Sequence, residues 1–288
     1  MMEILGKRVL ITGASSGIGR ALAFAFAERG ARTALAARRA RRLKDTASEI
    51  RRAIPHAPGP LTIPCDVSDR KSAGLLVEEA ASLLGGVDIL VNNAGAGIYG
   101  NTWNTAVSDI QSLLSVNFYG AINCMMAVLP LMHREQSGLI INIASLASKH
   151  GVPYLGAYGA SKAALAVFSQ SLRAELSGTG ISVLVVYPGY TETEFFSKEK
   201  HVGGGRRPQG PYAPPARVAD AVIRATERDK QELVLTWNGR LLTLLQGLMP
   251  GLAARAMAVM ADRLKERKEY SNEQTKVTDY SAFPKPRG

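Results

Sequence analysis

Short apolar runs alternate along the chain with longer stretches in which apolar residues recur every three or four positions. The short runs are Arg8–Thr12, Arg32–Ala37, Leu61–Cys65, Asp88–Asn92, Leu139–Ala144, Ile181–Tyr187 and Glu232–Leu235. They are continuous, not alternating, as strands covered on both faces are. Between them the spacing predicts helices over Gly17–Arg29, Ala40–Ile54, Asp69–Leu84, Val107–Arg134, Ala157–Leu176 and Pro215–Arg228. Repeated strand–helix units imply an α/β fold, a doubly wound parallel sheet of about seven strands with right-handed crossovers. No linker divides residues 1–238, which read as one domain. Residues 239–269 form an apolar helical extension interrupted at Pro250-Gly251, and 270–288 a polar, frayed tail. The glycines, prolines and arginines of 203–215 suit neither element, so that stretch is a loop, either a lid or a disordered connection.

With 288 residues, 46% of them hydrophobic, the chain can bury a core without covalent staples. Its two cysteines, Cys65 and Cys124, are too few and too far apart for a disulfide framework or a CxxC metal site. They read as buried thiols of a reducing compartment, and no secretory leader precedes the first strand, so a cytoplasmic protein with no metal is expected. The charge-free stretch from Ile110 to Met132 is long enough to mimic a membrane span. Gln111, Ser112, Ser115, Asn117 and Asn123 would be costly in hydrocarbon, so it reads as a buried helix.

The net charge of +11 is uneven: residues 1–60 carry 12 Lys/Arg against 4 Asp/Glu. No aromatic residue lies between Arg38 and Arg52 to stack on bases. A phosphorylated small molecule therefore suits this end better than nucleic acid, which is not expected as a partner.

A place for such phosphates follows the first strand, in Thr12-Gly13-Ala14-Ser15-Ser16-Gly17-Ile18-Gly19. Gly13 permits a tight turn, Gly17 a close approach to the backbone, and Gly19 close packing of helix on strand. The helix that starts there offers free N–H groups and the positive end of its dipole. Further on come Asn92-Asn93-Ala94-Gly95 after the fourth strand, Tyr158 and Lys162 in a YxxxK pattern, and Pro188-Gly189 after the sixth. In these motifs, in order across residues 7–200, the chain resembles the short-chain dehydrogenase/reductase family.

The resemblance implies a Rossmann-like fold and a dinucleotide held by Gly13, Ser15, Ser16, Gly17, Ile18 and Gly19. The second strand ends Leu35-Ala36-Ala37-Arg38-Arg39, without the acid that would accept from the ribose 2′-OH of NAD. Arg38, with Arg39 as a second candidate and a hydroxyl from Ser15, can grip the 2′-phosphate of NADP(H), the expected cofactor. The plainer reading of Arg39, Arg41 and Arg42 is a solvated helix face. Asp66 and Val67 are similar to the family's adenine contact; Asp66 could instead cap the next helix, a duty open to Ser68 as well. Asn92, Ala94 and Gly95 would line the adenosine half. Asn93 would either join them or fasten the turn to the neighbouring strand. Pro188, Gly189, Thr191 and Thr193 would pass the nicotinamide, Thr191 standing where the family often has an aliphatic residue.

Tyr158 and Lys162 lie four apart on one helix face. A phenol titrates near pH 10, and a neighbouring ammonium is expected to lower that value so that Tyr158 can exchange a proton with a carbonyl oxygen. Lys162 would also hold the nicotinamide ribose. Ser145, 13 positions before Tyr158, matches the family's substrate-holding serine, and Asn117 the asparagine that bends its helix to seat a water leading to the lysine. These four are the expected catalytic set. The family's substrate walls fall here on Leu146, Tyr154, Tyr190 and Phe195, with Phe196 beside it. They imply a small hydrophobic carbonyl or alcohol: a steroid, a lipid-like molecule or an aromatic ketone. A ketoacyl carrier-protein or CoA reductase, and a non-catalytic NADP-binding redox regulator, remain alternatives. The extension could pack over the substrate mouth, meet a second subunit or touch a membrane. The resemblance further implies a homodimer built on the helices Val107–Arg134 and Ala157–Leu176, with a tetramer left open.

Overall fold

The computed structural model describes residues 2–194, 199–208 and 212–265. Seven parallel strands form its sheet: β1 (Arg8–Thr12), β2 (Arg32–Ala37), β3 (Leu61–Pro64), β4 (Ile89–Asn92), β6 (Gly138–Ile143), β7 (Ile181–Tyr187) and β9 (Glu232–Val234). Their order is β3-β2-β1-β4-β6-β7-β9. The chain winds outward from β1 to β3, then returns past β1 to begin the other half at β4. That reversal opens a crevice beyond the carboxyl ends of β1 and β4, where ligands of doubly wound sheets bind.

The unbroken apolar runs follow from this layering. Val9 and Ile11 of β1 face the helices α1 (Gly17–Glu28) and α2 (Ala40–Ala53), together with α7 (Pro215–Glu227). Leu10, between them, points the other way, into the layer of α3 (Arg70–Leu84), α5 (Gly120–Glu135) and α6 (Gly156–Glu175). Ile89, Leu90 and Val91 of β4 divide in the same manner. With a side-chain period of two and both faces covered, successive positions of the central strands are all core positions.

The structure departs from the sequence reading in a few places. The single helix expected over Val107–Arg134 is α4 (Val107–Leu114), a π-helical turn (Ser115–Tyr119) and α5. This run has the length and apolarity to cross a membrane. Within the fold α5 buries Cys124, Met125, Val128 and Met132 against the sheet. Two short strands, β5 (Ile98–Gly100) and β8 (Lys200–Val202), pair in parallel outside the main sheet; three residues each are too few to show a period. The described ends of the glycine-rich loop are tied down. Tyr99 Oη donates to Arg206 O at 2.9 Å, and Ala213 bridges to Thr191. The extension is α8 (Trp237–Leu248) and α9 (Pro250–Leu264), separated at Met249.

Candidate active site

The first turn is built by what its glycines leave out. Gly13 has φ +65°, and a Cβ there would sit 2.8 Å from Ala94 Cα. The chain ends of β1 and β4 therefore meet directly. Thr12 Oγ1 accepts from the backbone N–H of Asn93 (3.0 Å) and Ala94 (3.1 Å). Asn93 returns its amide to Thr12 O and Gly13 O. Asn93 thus fastens the turn, and it also lines the crevice beside Ala94. Gly19 packs beneath the turn against the Gly13 carbonyl and does not line the crevice. Ser16, at the N-cap of α1, makes no side-chain cap bond.

A cleft of about 1510 Å³ runs from this turn to Tyr158 and Lys162 of α6 and on to the helices of the extension. At its turn end it is lined by Gly13, Ser15, Ser16, Gly17 and Ile18, and then by Arg38, Arg39, Asp66, Val67, Ala94 and Gly95. Asn92 is not among them. It is buried within the sheet, where its Nδ2 donates to Asn142 Oδ1 at 2.9 Å, so its side chain has no place along the adenosine path. Asp66 does not cap α3. Its Oδ1 accepts from Ser68 N and Oγ, and the cap is Asp69, which accepts from Ser72 N at 2.6 Å. Burial pushes the Asp66 carboxyl up, but the Ser68 bonds and the Arg38 charge outweigh it and hold the group below its usual range.

The two arginines differ. Arg38 is 69% exposed and lies 3.8 Å from Asp66 Oδ2. Arg39 is turned into the cleft, contrary to its reading as a solvated face: its Nη2 donates to Ser15 Oγ (3.1 Å) and Ser16 Oγ (2.9 Å). Its Nη1 meets Glu194 Oε2 at 3.3 Å, and Arg42 Nη1 meets the other Glu194 oxygen at 2.8 Å. Sequence reasoning missed Glu194, which belongs to no motif. Beside it, Thr193 packs against Gly17, at 3.0 Å from where a Cβ would stand.

At the other end Ser145, Tyr158 and Lys162 converge on one wall. Ser145 follows β6, and its hydroxyl hydrogen-bonds Tyr158 and accepts from Ala147 N. Lys162 is buried and donates to Ile143 O at 2.8 Å. Asn117 sits on the π-helical turn with its amide fully engaged. Nδ2 donates to Ala96 O (3.0 Å) and Ser161 Oγ (2.9 Å), while Oδ1 accepts from Ala96 N (2.8 Å). It clamps the segment after β4 to α6, with Ser161, unassigned by sequence, as the intermediary. A Cβ on Gly95 would stand 3.1 Å from Asn117 Oδ1 and 3.4 Å from Lys162 Nζ, so the chain passes close over this group.

The ionisation of the pair differs from the expectation. Burial pushes Tyr158 up to about 12; the Ser145 bond opposes this, and the Glu199 carboxylate adds to it. Burial also pulls Lys162 down to about 8. The ammonium donates to Ile143 O, and desolvation of the phenol wins over any lowering of its pKa.

Pro188, Gly189, Thr191 and Thr193 line the cleft, with Leu146 N donating to Pro188 O. Thr191 turns its hydroxyl inward to Gly189 O at 3.1 Å. Leu146 and Tyr190 form part of the outer wall, Tyr190 stacked on Tyr212 with ring centroids 5.5 Å apart. Tyr154 does not line the cleft. With φ +65° it stands one layer behind, its ring near Tyr99 and its hydroxyl on Ala261 O of α9. Phe195 and Phe196 lie outside the described residues. His150, Val152, Leu155, Trp237, Leu242, Met257 and Met260 also line the cleft and were not foreseen.

With this geometry in view, the comparisons are specific. A family model described as short chain dehydrogenase matches residues 7–202. A ketoacyl reductase of Nostoc, HetN, is 35% identical over 238 residues, covering 83% of this chain and 81% of its own. A short chain dehydrogenase/reductase from Burkholderia phymatum, solved in complex with NAD, is 25% identical and superimposes with a TM-score of 0.80 over 88% of this chain and 96% of its own. An alcohol dehydrogenase from Thermococcus sibiricus complexed with 5-hydroxy-NADP is 28% identical, with a TM-score of 0.70 over 80% of this chain and 95% of its own.

Proposed function

The chain belongs to the short chain dehydrogenase family, whose members are oxidoreductases using a nicotinamide cofactor, and from that premise we propose that it is an NADP(H)-dependent reductase of hydrophobic carbonyl compounds. The observation that carries this reading is the convergence of Ser145, Tyr158 and Lys162 on one wall of a cleft whose other end holds Arg38, Arg39, Ser15 and Ser16.

The residues present fit the cofactor. Gly13 and Gly17, both at positive φ, leave the turn before α1 bare of side chains where a pyrophosphate must approach. At the end of β2 two guanidiniums and two hydroxyls stand where an NAD-preferring site would carry an acid, which suits a 2′-phosphate. Asp66 and Val67, which line the cleft beyond Arg38, would hold the adenine, and Lys162 would hold the nicotinamide ribose.

When bound, the cofactor supplies the hydride for the carbonyl carbon. Ser145 and Tyr158 hold the carbonyl oxygen between two hydroxyls, fixing its distance and direction. Tyr158 gives its phenolic proton to that oxygen as charge develops there. A phenol pushed up to about 12 is fully protonated at neutral pH and ready to act as the acid. Lys162, at about 8, is still mostly charged there and favours the phenolate that remains. Leu146, Tyr190, Leu242, Met257 and Met260 keep water from the reacting atoms and select apolar substrates.

A second reading, reduction of a ketoacyl thioester, is favoured by the Nostoc relative. One panel tests both: loss of reduced-nicotinamide absorbance with NADPH and with NADH, over aromatic, steroidal and alkyl ketones and a β-ketoacyl-CoA. NADPH-dependent reduction of the free ketones supports the proposal. Preference for NADH, or turnover of the thioester alone, overturns it.

A further inference from the structure

Of the fifteen large apolar side chains exposed on the described surface, seven lie on α8, α9 and the residue between them. Trp237, Leu241, Leu244 and Leu248 recur at intervals of four, three and four, so they form one stripe along α8, between 55% and 76% exposed. On α9 the outward face carries Leu252, Arg255, Val259 and Arg263, again at helical spacing. The opposite side of the two helices is occupied. Gly239, Leu242, Met257 and Met260 line the catalytic cleft, Ala253 is buried, and Trp237, the first residue of the stripe, lines the cleft as well. The helices are fixed to the body: Thr236 Oγ1 caps α8, Tyr154 Oη donates to Ala261 O, and Arg206 N to Leu264 O. The apolar stripe is therefore a held surface.

Charge says what it meets. Residues 237–265 carry Arg240, Arg255, Arg263 and Lys265, all exposed, against one acid, Asp262. Two copies of such a face brought together would oppose cations with almost no carboxylate between them. An anionic lipid surface supplies both missing partners, acyl chains for the stripe and phosphates for the cations. The helices have 12 and 15 residues, roughly 18 and 22 Å, short of the ~30 Å hydrocarbon core. They suit lying in the interface, not crossing it.

We propose that α8 and α9 dock this protein on an anionic phospholipid surface, with Trp237, Leu241, Leu244 and Leu248 in the acyl boundary and the arginines at the headgroups. The cleft lining on the inner side of these helices then opens beside the bilayer, and a carbonyl compound dissolved in lipid enters past Leu242, Met257 and Met260. The entry route rests on the reductase reading; the docking does not.

The full chain is sedimented with vesicles of phosphatidylcholine alone and of phosphatidylcholine with phosphatidylserine in equal parts. Binding to the mixed vesicles, weakened by salt and reduced about tenfold or more in Leu244→Asp/Leu248→Asp, is the expected result. Both side chains are exposed and outside the cleft, so the fold is retained. Arg255→Glu/Arg263→Glu should lose the preference for phosphatidylserine. Failure of the wild type to bind either vesicle, or equal binding by the aspartate variant, overturns the docking. So does a wild-type assembly that the aspartate variant splits in light scattering without any vesicle binding. For the entry route, the aspartate variant should slow reduction of a long-chain ketone carried in vesicles and spare a short water-soluble ketone. Equal slowing of both overturns the route. No turnover of either by the wild type counts against the reductase reading and leaves the sedimentation result standing.

Discussion

Arg39 and Glu194, 155 positions apart in the chain, meet across the phosphate end of the cleft, with Arg39 Nη1 3.3 Å from Glu194 Oε2. The same guanidinium holds Ser15 and Ser16 with its other nitrogen, and Arg42 takes the second Glu194 oxygen. A carboxylate thus occupies the cations that a 2′-phosphate would use, which makes Glu194 its competitor within the chain. Glu194→Gln should tighten NADPH binding while leaving NADH unchanged. The pairs are about one-third exposed or more, so the gain is small, ~0.5–1 kcal/mol or roughly two- to fivefold. Arg39→Ala should weaken NADPH by about ten- to a hundredfold, the worth of a charged hydrogen bond. Fluorescence titration with both cofactors checks this; equal tightening of the two by Glu194→Gln would sink it.

Tyr158→Phe keeps the ring and its packing and removes the proton donor. The proposed mechanism then loses general acid catalysis, about a hundred- to ten-thousandfold in kcat, with cofactor affinity unchanged. Ser145→Ala should lose less, because Tyr158 still meets the carbonyl oxygen. Near-normal turnover by Tyr158→Phe would mean that another group supplies the proton.

The buried Lys162 is held at a cost to the fold. Its pKa falls from 10.5 to about 8 through burial. Below pH 8 folded and unfolded chains both carry the proton, and the folded one bears the full desolvation penalty. Between about 8 and 10.5 the unfolded chain keeps a proton that the folded protein has released, so stability from this group rises with pH through that window. Lys162→Met should therefore melt higher than wild type at pH 7, by ~1–3 kcal/mol after the lost bond to Ile143 O is counted. The advantage should shrink as the pH passes 8, while turnover falls at every pH. A melting-temperature difference that stays constant from pH 7 to pH 10 would show that the lysine is not strained in this way.

How much of this was legible in the sequence depends on the range of the signal. Val9, Leu10 and Ile11 announced a strand covered on both faces because each serves a layer, and no distant partner is needed to read that. The π-helical turn at Ser115–Tyr119 left no mark in the apolar period, which runs through it unbroken; only the bend that the family resemblance implied at Asn117 fell there. The motifs put Ser145, Tyr158 and Lys162 within reach of one another, but the desolvation that lifts the phenol is set by the walls around it. Asn92 and Tyr154 carried family-based roles that their side chains do not take up, one turned to Asn142 within the sheet and the other packed near Tyr99 behind the cleft. Glu194 meets Arg39 only through the return of the chain after β7, and short-range pattern does not report such contacts.

The homodimer that the family resemblance implies can be tested at an exposed position of its helices. Most apolar residues of α5 and α6 are spent inside: Met125, Val128, Leu165 and Leu172 are buried against the sheet, and Phe168 packs edge-on to Phe118 with centroids 6.0 Å apart. Apart from Val107 at the start of α4, the large apolar residues left outside are Tyr119 at the π-helical turn, Met126 on α5 and Val167 on α6, each about half exposed or more. A two-fold axis beside α5 and α6 would bring these three against their own copies, the isologous arrangement that most soluble dimers adopt. Phe168→Asp would damage the monomer's own core and so cannot separate association from folding. Val167→Asp can, because its side chain is 62% exposed in the single chain and its loss costs the monomer little. Two copies of the new carboxylate, desolvated across the axis, should weaken pairing by several kcal/mol. Light scattering at micromolar concentration should then show wild type at twice the 30.8 kDa chain mass and Val167→Asp at the chain mass, with unchanged circular dichroism. Wild type already at the chain mass, or a variant that stays paired, would remove this face from the assembly.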